Sequence, residues 1–270
     1  MSANGTDAPR IQAPAVLLYS LSGLGKTVAA LRALTPEKTV WISTERGALE
    51  PATGRLNPWR DAHGRVWMPR EFLCLHAAAG KDDHGVYREV DAAVRDAVRL
   101  VAEGVVTNIV IDTLSSYARR LDHYVRGILN VGREYGHAAD AIGAHLEPYL
   151  DRIFETCASV RRPSGIYGAT IVALCHEKDP FQAAKDRRTG EVGKPVPGGP
   201  DLPGALAKKV RHHFDLVLRG DGRIAAGKLH RVFVHDSLDK QFPTKDRWGI
   251  VPDRAEGTTG LCPMDLGVIL

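Results

Sequence analysis

Residues Leu17-Leu18-Tyr19-Ser20-Leu21-Ser22-Gly23-Leu24-Gly25-Lys26-Thr27 constrain this chain more than any other stretch. The apolar run from Ala15 to Tyr19 has the length and composition of a buried strand. Val28-Ala29-Ala30-Leu31-Arg32-Ala33-Leu34 continues with helical spacing. A loop of small residues ending Gly-Lys-Thr joins the two. Strand, loop and helix in that order make a cradle for polyphosphate, because the N–H groups of the loop and of the helix N-terminus converge on one anion. Lys26 then reaches the β- and γ-phosphates, and the Thr27 hydroxyl is a ligand for Mg²⁺. The expected nucleotide-binding set is Ser20, Ser22, Gly23, Leu24, Gly25, Lys26, Thr27 and Val28. One position departs from the G-x-x-x-x-G-K-[ST] pattern. Ser20 stands where the motif begins with glycine, and serine enters a turn less freely wherever φ must be positive.

Further along the chain, Thr39-Val40-Trp41-Ile42-Ser43 reads as a β-branched strand that runs into Thr44-Glu45-Arg46-Gly47. A carboxylate at the end of a strand next to the P-loop strand sits where open α/β sheets place their ligands. Glu45 is therefore the candidate for positioning or deprotonating an attacking water, the alternative being a surface-turn glutamate. Residues 51–75 show weak periodicity and end in a strand around Glu71 to Leu75. Trp59 and Trp67 in this segment could stack on a base, although packing is the commoner fate of a tryptophan. Tyr87 to Glu103 has strong helical periodicity and stops at Gly104. Val105 to Thr113 is an apolar strand with a carboxylate at its tip. Asp112 is expected to hold the Mg²⁺ shell opposite Thr27, its other reading being a helix N-cap.

Ser115 to Asn130 and Ala138 to Arg161 read as helices, and Thr170 to Cys175 as another buried strand. That strand runs into His176-Glu177-Lys178. His176 is placed to sense or stabilise a γ-phosphate and relay its presence onward, or simply to be a hydrogen-bonded strand-end histidine.

Asp179 to Gly204 differs from the rest, with five prolines, five glycines and no clear element. A connection that long is usually functional or disordered. From Lys178 to Arg211 there are eight basic and four acidic residues, a local charge of +4 that equals the charge of the whole chain. Lys185, Arg187, Arg188, Lys194, Lys208 and Lys209 form the expected contact set for a nucleic-acid backbone, the alternative being a solvated loop. Phe214–Arg219 and Leu229–His235 read as strands around a Gly220-Asp221-Gly222 turn, making the C-terminal part β-rich.

The 270 residues, 44% hydrophobic and 25% charged, suit one large α/β domain with a sizeable core. Residues 1–12 read as a disordered arm, 13–252 as the core, and 253–270 as a tail. Four scattered cysteines lack zinc-site spacing and are expected to be reduced thiols. The polar N-terminus has no apolar signal core, and no apolar run approaches the ~20 residues that span a bilayer. A cytoplasmic location and no membrane partner are expected.

Taken together, these motifs resemble a RecA-like P-loop ATPase core. More narrowly they resemble phage nucleotide-binding proteins that include the Sak-four group of single-strand annealing ATPases. The residues that carry the likeness are 19–27, Ser43-Thr44-Glu45-Arg46-Gly47, Ile109–Thr113, Ala173–Lys178 and Lys245-Asp246-Arg247-Trp248-Gly249. The resemblance implies an α/β fold with a mostly parallel central sheet flanked by helices, and ATP as the nucleotide. It implies Glu45 as catalytic base, and His176, in place of the usual glutamine, as the link to a DNA-binding loop at 179–204. It also implies that Lys245 and Arg247 reach the ATP site of a neighbouring subunit, hence a homo-oligomeric ring or filament. The expected partners are single-stranded DNA and a single-strand-binding protein. Two other classes fit a P-loop: a nucleotide-dependent switch or assembly protein without DNA, and, less well, a small-molecule kinase, for which no second lid motif is present.

Overall fold

The computed structural model describes residues 12–49, 68–74, 85–128, 138–179, 181–182, 195–196, 198–203, 206–225, 227–234, 244–247 and 261–263. The strands are β1 (Ala15–Ser20), β2 (Thr39–Ser43), β3 (Arg70–Leu73), β4 (Asn108–Asp112), β5 (Thr170–Lys178), β6 (Phe181–Gln182), β7 (Pro195–Val196), β8 (Gly199–Pro200), β9 (Leu216–Ala225), β10 (Lys228–Val234), β11 (Lys245–Asp246) and β12 (Leu261–Pro263). The helices are α1 (Lys26–Ala33), α2 (Val86–Ala102), α3 (Leu114–Ile128), α4 (Ala138–Ser159) and the single-turn α5 (Leu206–Lys209). The main sheet runs β12-β10-β9-β1-β5-β4-β2-β3, with β11 added to β9 and β8 to β5. From β9 through β3 neighbouring strands are parallel, while β10, β11 and β12 join antiparallel. This is the mostly parallel, helix-flanked α/β sheet with a β-rich C-terminal part that the sequence predicts.

The central strands β1, β2, β4 and β5 are buried almost throughout and apolar in their interiors because both faces are covered, as parallel sheets require. Alternation along them divides the core in two. Leu17, Tyr19, Ile109, Ile111, Ile171 and Ala173 face α2, α3 and α4. Val16, Leu18, Val110, Val172, Leu216 and Leu218 face α1 together with Trp41 and Phe233. The α2 helix follows from Val90, Val94, Ala97 and Val101, recurring on one stripe that is buried against α3 and α4. Phe233 is fully buried against the α1 cluster. That contributes roughly 1.5–3 kcal/mol and holds β10 to the face that carries α1.

Several local expectations are corrected. The strand β2 is not beside β1, because β5 and β4 stand between them. The Gly220-Asp221-Gly222 stretch lies inside β9. The hairpin instead closes on the Ala225↔Lys228 pair, and Gly227 takes φ +72°. The fourth strand starts at Asn108 rather than Val105. The segment 179–204 contains short elements: β6 pairs with β7, and β8 returns to β5 through Glu177↔Pro200 and Lys178↔Gly199. Trp59 and Trp67 lie outside the described residues. Among the described residues no helix is long and apolar enough to cross a membrane.

Candidate nucleotide site

Because β1, β2, β4 and β5 are parallel, their carboxyl ends share one edge of the sheet, and that edge is polar. Ser20, Ser43, Thr44, Asp112, Thr113 and Ser115 are all buried there. Ser20 ends β1 in extended conformation, in register with His176 on one side and Gly220 on the other. Its position demands no positive φ, so the backbone accepts serine where the motif begins with glycine. The left-handed positions are Gly23 at φ +80° and Gly25 at φ +91°. Gly25 precedes α1 with no side-chain cap, and the first turn of α1 carries no acidic residue. The helix N-terminus is left available to an external anion.

Lys26 folds back into the loop, donating to the carbonyl oxygens of Ser20 at 2.9 Å and Leu21 at 3.1 Å and to Ser20 Oγ at 3.3 Å. Burial lowers its pKa, opposed by the nearby charge of Asp112. Thr27 Oγ1 donates to Asp112 Oδ2 at 3.2 Å, which brings together the two groups expected to share the metal. Asp112 is 3% exposed, and its pKa is pushed up to about 7, first by burial and then by the charge of Glu45. A carboxylate so placed favours a cation beside it. One hydroxyl and one carboxylate suit Mg²⁺, which keeps most of its shell as water and phosphate oxygen. Among the described residues no cluster of three or more His, Cys, Asp or Glu side chains could replace that arrangement.

Glu45 follows β2 and is held by β4, α3 and β5 together. Its Oε1 accepts from Thr113 Oγ1 at 2.8 Å and from Ser116 Oγ, and His176 Nε2 lies 3.1 Å away. The His176 contact, then Ser116 and Thr113, outweigh burial and hold the carboxyl near 2, below its ordinary 4.5. The two carboxylates of the site are thus displaced in opposite directions, the pattern that separates roles in an active site. Thr44 fixes the junction beneath them. Its Oγ1 donates to Thr113 O at 2.6 Å and accepts from Thr113 N at 2.9 Å, and its N–H donates to Asp112 O at 2.7 Å. The Asp112–Thr113 peptide there is cis.

His176 also faces outward from the site. Its N–H donates to Ser115 Oγ at 2.9 Å, and its carbonyl accepts from the N–H of Asp201 at 2.7 Å. Asp201 is ion-paired to Arg119 of α3. Beside it, the buried Glu177 takes both N–H arms of Arg219 at 3.0 and 3.1 Å. The strand end, the close of segment 179–204 and the β9 strand are therefore mechanically joined.

These groups line one cavity of about 660 Å³. Of the residues expected from sequence, Ser22, Gly23, Gly25, Lys26, Thr27, Val28, Glu45, Asp112 and His176 line it. Ser20 lies beneath it as a partner of Lys26, and Leu24 sits in the loop between the two glycines. The sequence assigns no site role to Thr44, Thr113 or Ser116, although a hydroxyl after the strand-end aspartate and another one helical turn on are a usable signal. Arg231, from β10, also lines the cavity and had no local signal.

The remaining predicted residues lie elsewhere. Lys245 and Arg247 are at the opposite edge, where Lys245 pairs with Val217 at the start of β9. Lys245 Nζ donates to Arg211 O at 3.2 Å and to Phe214 O, and Arg247 is paired to Asp215 at 2.9 Å. Lys209 is ion-paired to Glu147 of α4. Lys185, Arg187, Arg188 and Lys194 lie outside the described residues, as does the side chain of Lys208.

This fold and site define a nucleotide-binding P-loop ATPase domain with the RecA-like arrangement of strands. The chain belongs to the AAA domain family, whose model matches residues 12–248. It is similar in structure to the flagellar accessory protein FlaH from Methanocaldococcus jannaschii, at 12% identity and TM-score 0.43, over 83% of this chain and 78% of that one. It is also similar to a prototypical ATPase from the type III secretion system of pathogenic bacteria, at 13% identity and TM-score 0.45, over 76% of this chain and 50% of that one. A comparison with curated protein sequences finds no match.

Proposed function

We propose that the protein is a Mg²⁺-dependent ATPase whose nucleotide state is passed to single-stranded DNA, as in the phage annealing and recombination proteins that its motifs resemble. The carrying observation is that His176 joins both sides of the coupling. Its ring lies 3.1 Å from Glu45 Oε1, and its carbonyl accepts from Asp201 at the close of segment 179–204.

In this reading the loop N–H groups and Lys26 hold the polyphosphate, and Lys26 exchanges the carbonyls of Ser20 and Leu21 for phosphate oxygens. Thr27 and Asp112 would hold Mg²⁺, which supplies charge neutralisation between the β- and γ-phosphates. Glu45, ionised at neutral pH, orients the attacking water and takes its proton. A γ-phosphate close to His176 competes for its ring N–H, and loss of that contact frees Glu45. The same movement is felt by the 179–204 segment, whose basic residues suit a DNA backbone.

Lys245 and Arg247 are proposed to complete a neighbour's site in a ring or filament. This part rests on the Lys-x-Arg resemblance, and it requires both residues to leave their partners in their own chain.

Anisotropy of a labelled single-stranded oligonucleotide, with and without ATP, tests the reading. Binding that depends on ATP and weakens steeply with salt is expected. A nucleotide-binding protein that leaves the oligonucleotide free under both conditions would instead be an oligomeric switch or assembly ATPase.

A further inference from the structure

The catalytic groups are all on one side of the P-loop strand. In the order β10-β9-β1-β5-β4-β2, His176 lies in β5 level with Ser20, Asp112 ends β4 and Glu45 follows β2, whereas Asp221, the carboxylate just beyond that level on β9, faces Arg219 and does not line the cavity. A nucleotide lying along the loop with its scissile bond toward those carboxylates directs its nucleoside end toward β9 and β10. There the sheet presents one cation to the cavity, Arg231.

Its placement follows from the ladder. Phe233 pairs with Gly220, which is level with Ser20, and Arg231 pairs with Gly222, two residues farther along β9. At ~3.3 Å per residue this lifts Arg231 about 6–7 Å above the end of β1. Alternation puts Arg231 on the same face as Phe233, which packs in the α1 cluster. A Cβ built on Gly25 would lie 3.6 Å from Arg231 Cδ and 3.7 Å from Nε, so the arginine stem already rests over the loop. Arg219, on the neighbouring strand, is consumed by Glu177 and Asp221. Among the described residues no carboxylate is paired with Arg231.

We propose that Arg231 is a nucleotide-holding residue supplied in cis. Its guanidinium donates to the α-phosphate of a nucleotide seated on the P-loop, and it sets affinity without taking part in hydrolysis. The proposal rests on the nucleotide-site reading above. A planar, permanently charged fork suits phosphate oxygens and needs no neighbouring subunit.

The test is calorimetric titration of wild type, Arg231→Ala and Arg231→Lys with ATP and ADP, beside steady-state turnover. Arg231→Ala is expected to weaken ATP and ADP alike by about tenfold or more, as loss of a charge-assisted contact does, with kcat within about twofold of wild type. Arg231→Lys is expected to recover part of the affinity. Arg231 is exposed, so the melting temperature should not move. Unchanged affinities in Arg231→Ala would overturn the proposal, as would a fall in kcat with affinity intact. So would a loss of turnover in Arg231→Ala that mixing with Lys26→Ala protein restores, since only a residue acting in trans can be complemented that way. If wild type itself binds neither nucleotide, the nucleotide-site reading fails. If wild type binds and Lys26→Ala does not, a null result in Arg231→Ala counts against the arginine alone.

Discussion

The two edges of the central sheet carry similar residues and use them in opposite ways. At the carboxyl edge Lys26, Asp112, Glu45 and His176 face a common cavity, and the two carboxylates are displaced in opposite directions. At the amino edge Lys245, Arg247 and Asp215 are just as polar, but their partners are internal. Lys245 ties down the carbonyls of Arg211 and Phe214, and Asp215 is shared between Arg247 and the N–H of Ala15. The difference follows from strand direction. A parallel strand ends by releasing its chain into a loop that must meet a ligand or water, whereas its start is covered by the connection that delivers it.

Substitutions at the two edges should therefore separate function from stability. The largest effect is expected for Lys26→Ala, which should lower ATP affinity on the order of 100-fold in calorimetric titration, because it removes the ammonium group that the loop carbonyls hold over the phosphate cradle. His176→Ala should leave ATP affinity nearly intact while removing most of the ATP dependence of oligonucleotide anisotropy, since it cuts the link between Glu45 and Asp201. At the amino edge, Asp215→Asn should lower unfolding stability by about 1–3 kcal/mol in urea denaturation with ATP affinity unchanged, because it weakens a buried contact with the Ala15 N–H and a half-exposed one with Arg247, both far from the cavity. The smallest effect is expected for Ser20→Gly. It removes one acceptor of Lys26 and loosens a strand end, so ATP affinity should shift by less than about threefold and stability by roughly 0.5–1 kcal/mol.

Glu45 also gives the fold an acid limit. Its carboxyl is held near 2 against an ordinary 4.5, so its contribution to stability is complete above about 4.5 and is lost as pH falls toward 2. The stability difference between wild type and Glu45→Gln, followed by denaturation across that window, should shrink with falling pH.

Much of the carboxyl edge was legible in the sequence because each of its parts is local. An apolar run ending in Asp112, another ending before His176, and a glycine-punctuated loop before Lys26 all declare themselves within ten residues. The features that depart from expectation are non-local. Sequence order suggests that Glu45 ends a strand beside β1, because consecutive strands often pair, whereas β5 and β4 enter between β1 and β2. The glycines of Gly220-Asp221-Gly222 suggest the hairpin turn, yet β9 continues through them and the hairpin closes on the Ala225↔Lys228 pair. Arg231 meets Gly25 across some two hundred positions, and no window of sequence contains that contact. The Lys-x-Arg pattern was equally visible, but the internal partners of Lys245 and Arg247 depend on how β11 lies against β9.

Hydrolysis of ATP at the carboxyl edge, with Glu45 as its base, is the part of the proposed function on which the rest depends. Glu45→Gln tests it most directly, with ATP affinity measured at equilibrium and phosphate release followed in the same protein. ATP is expected to bind with affinity close to wild type, with turnover lowered by about 10²–10⁴-fold. Turnover at the wild-type rate in Glu45→Gln would contradict it.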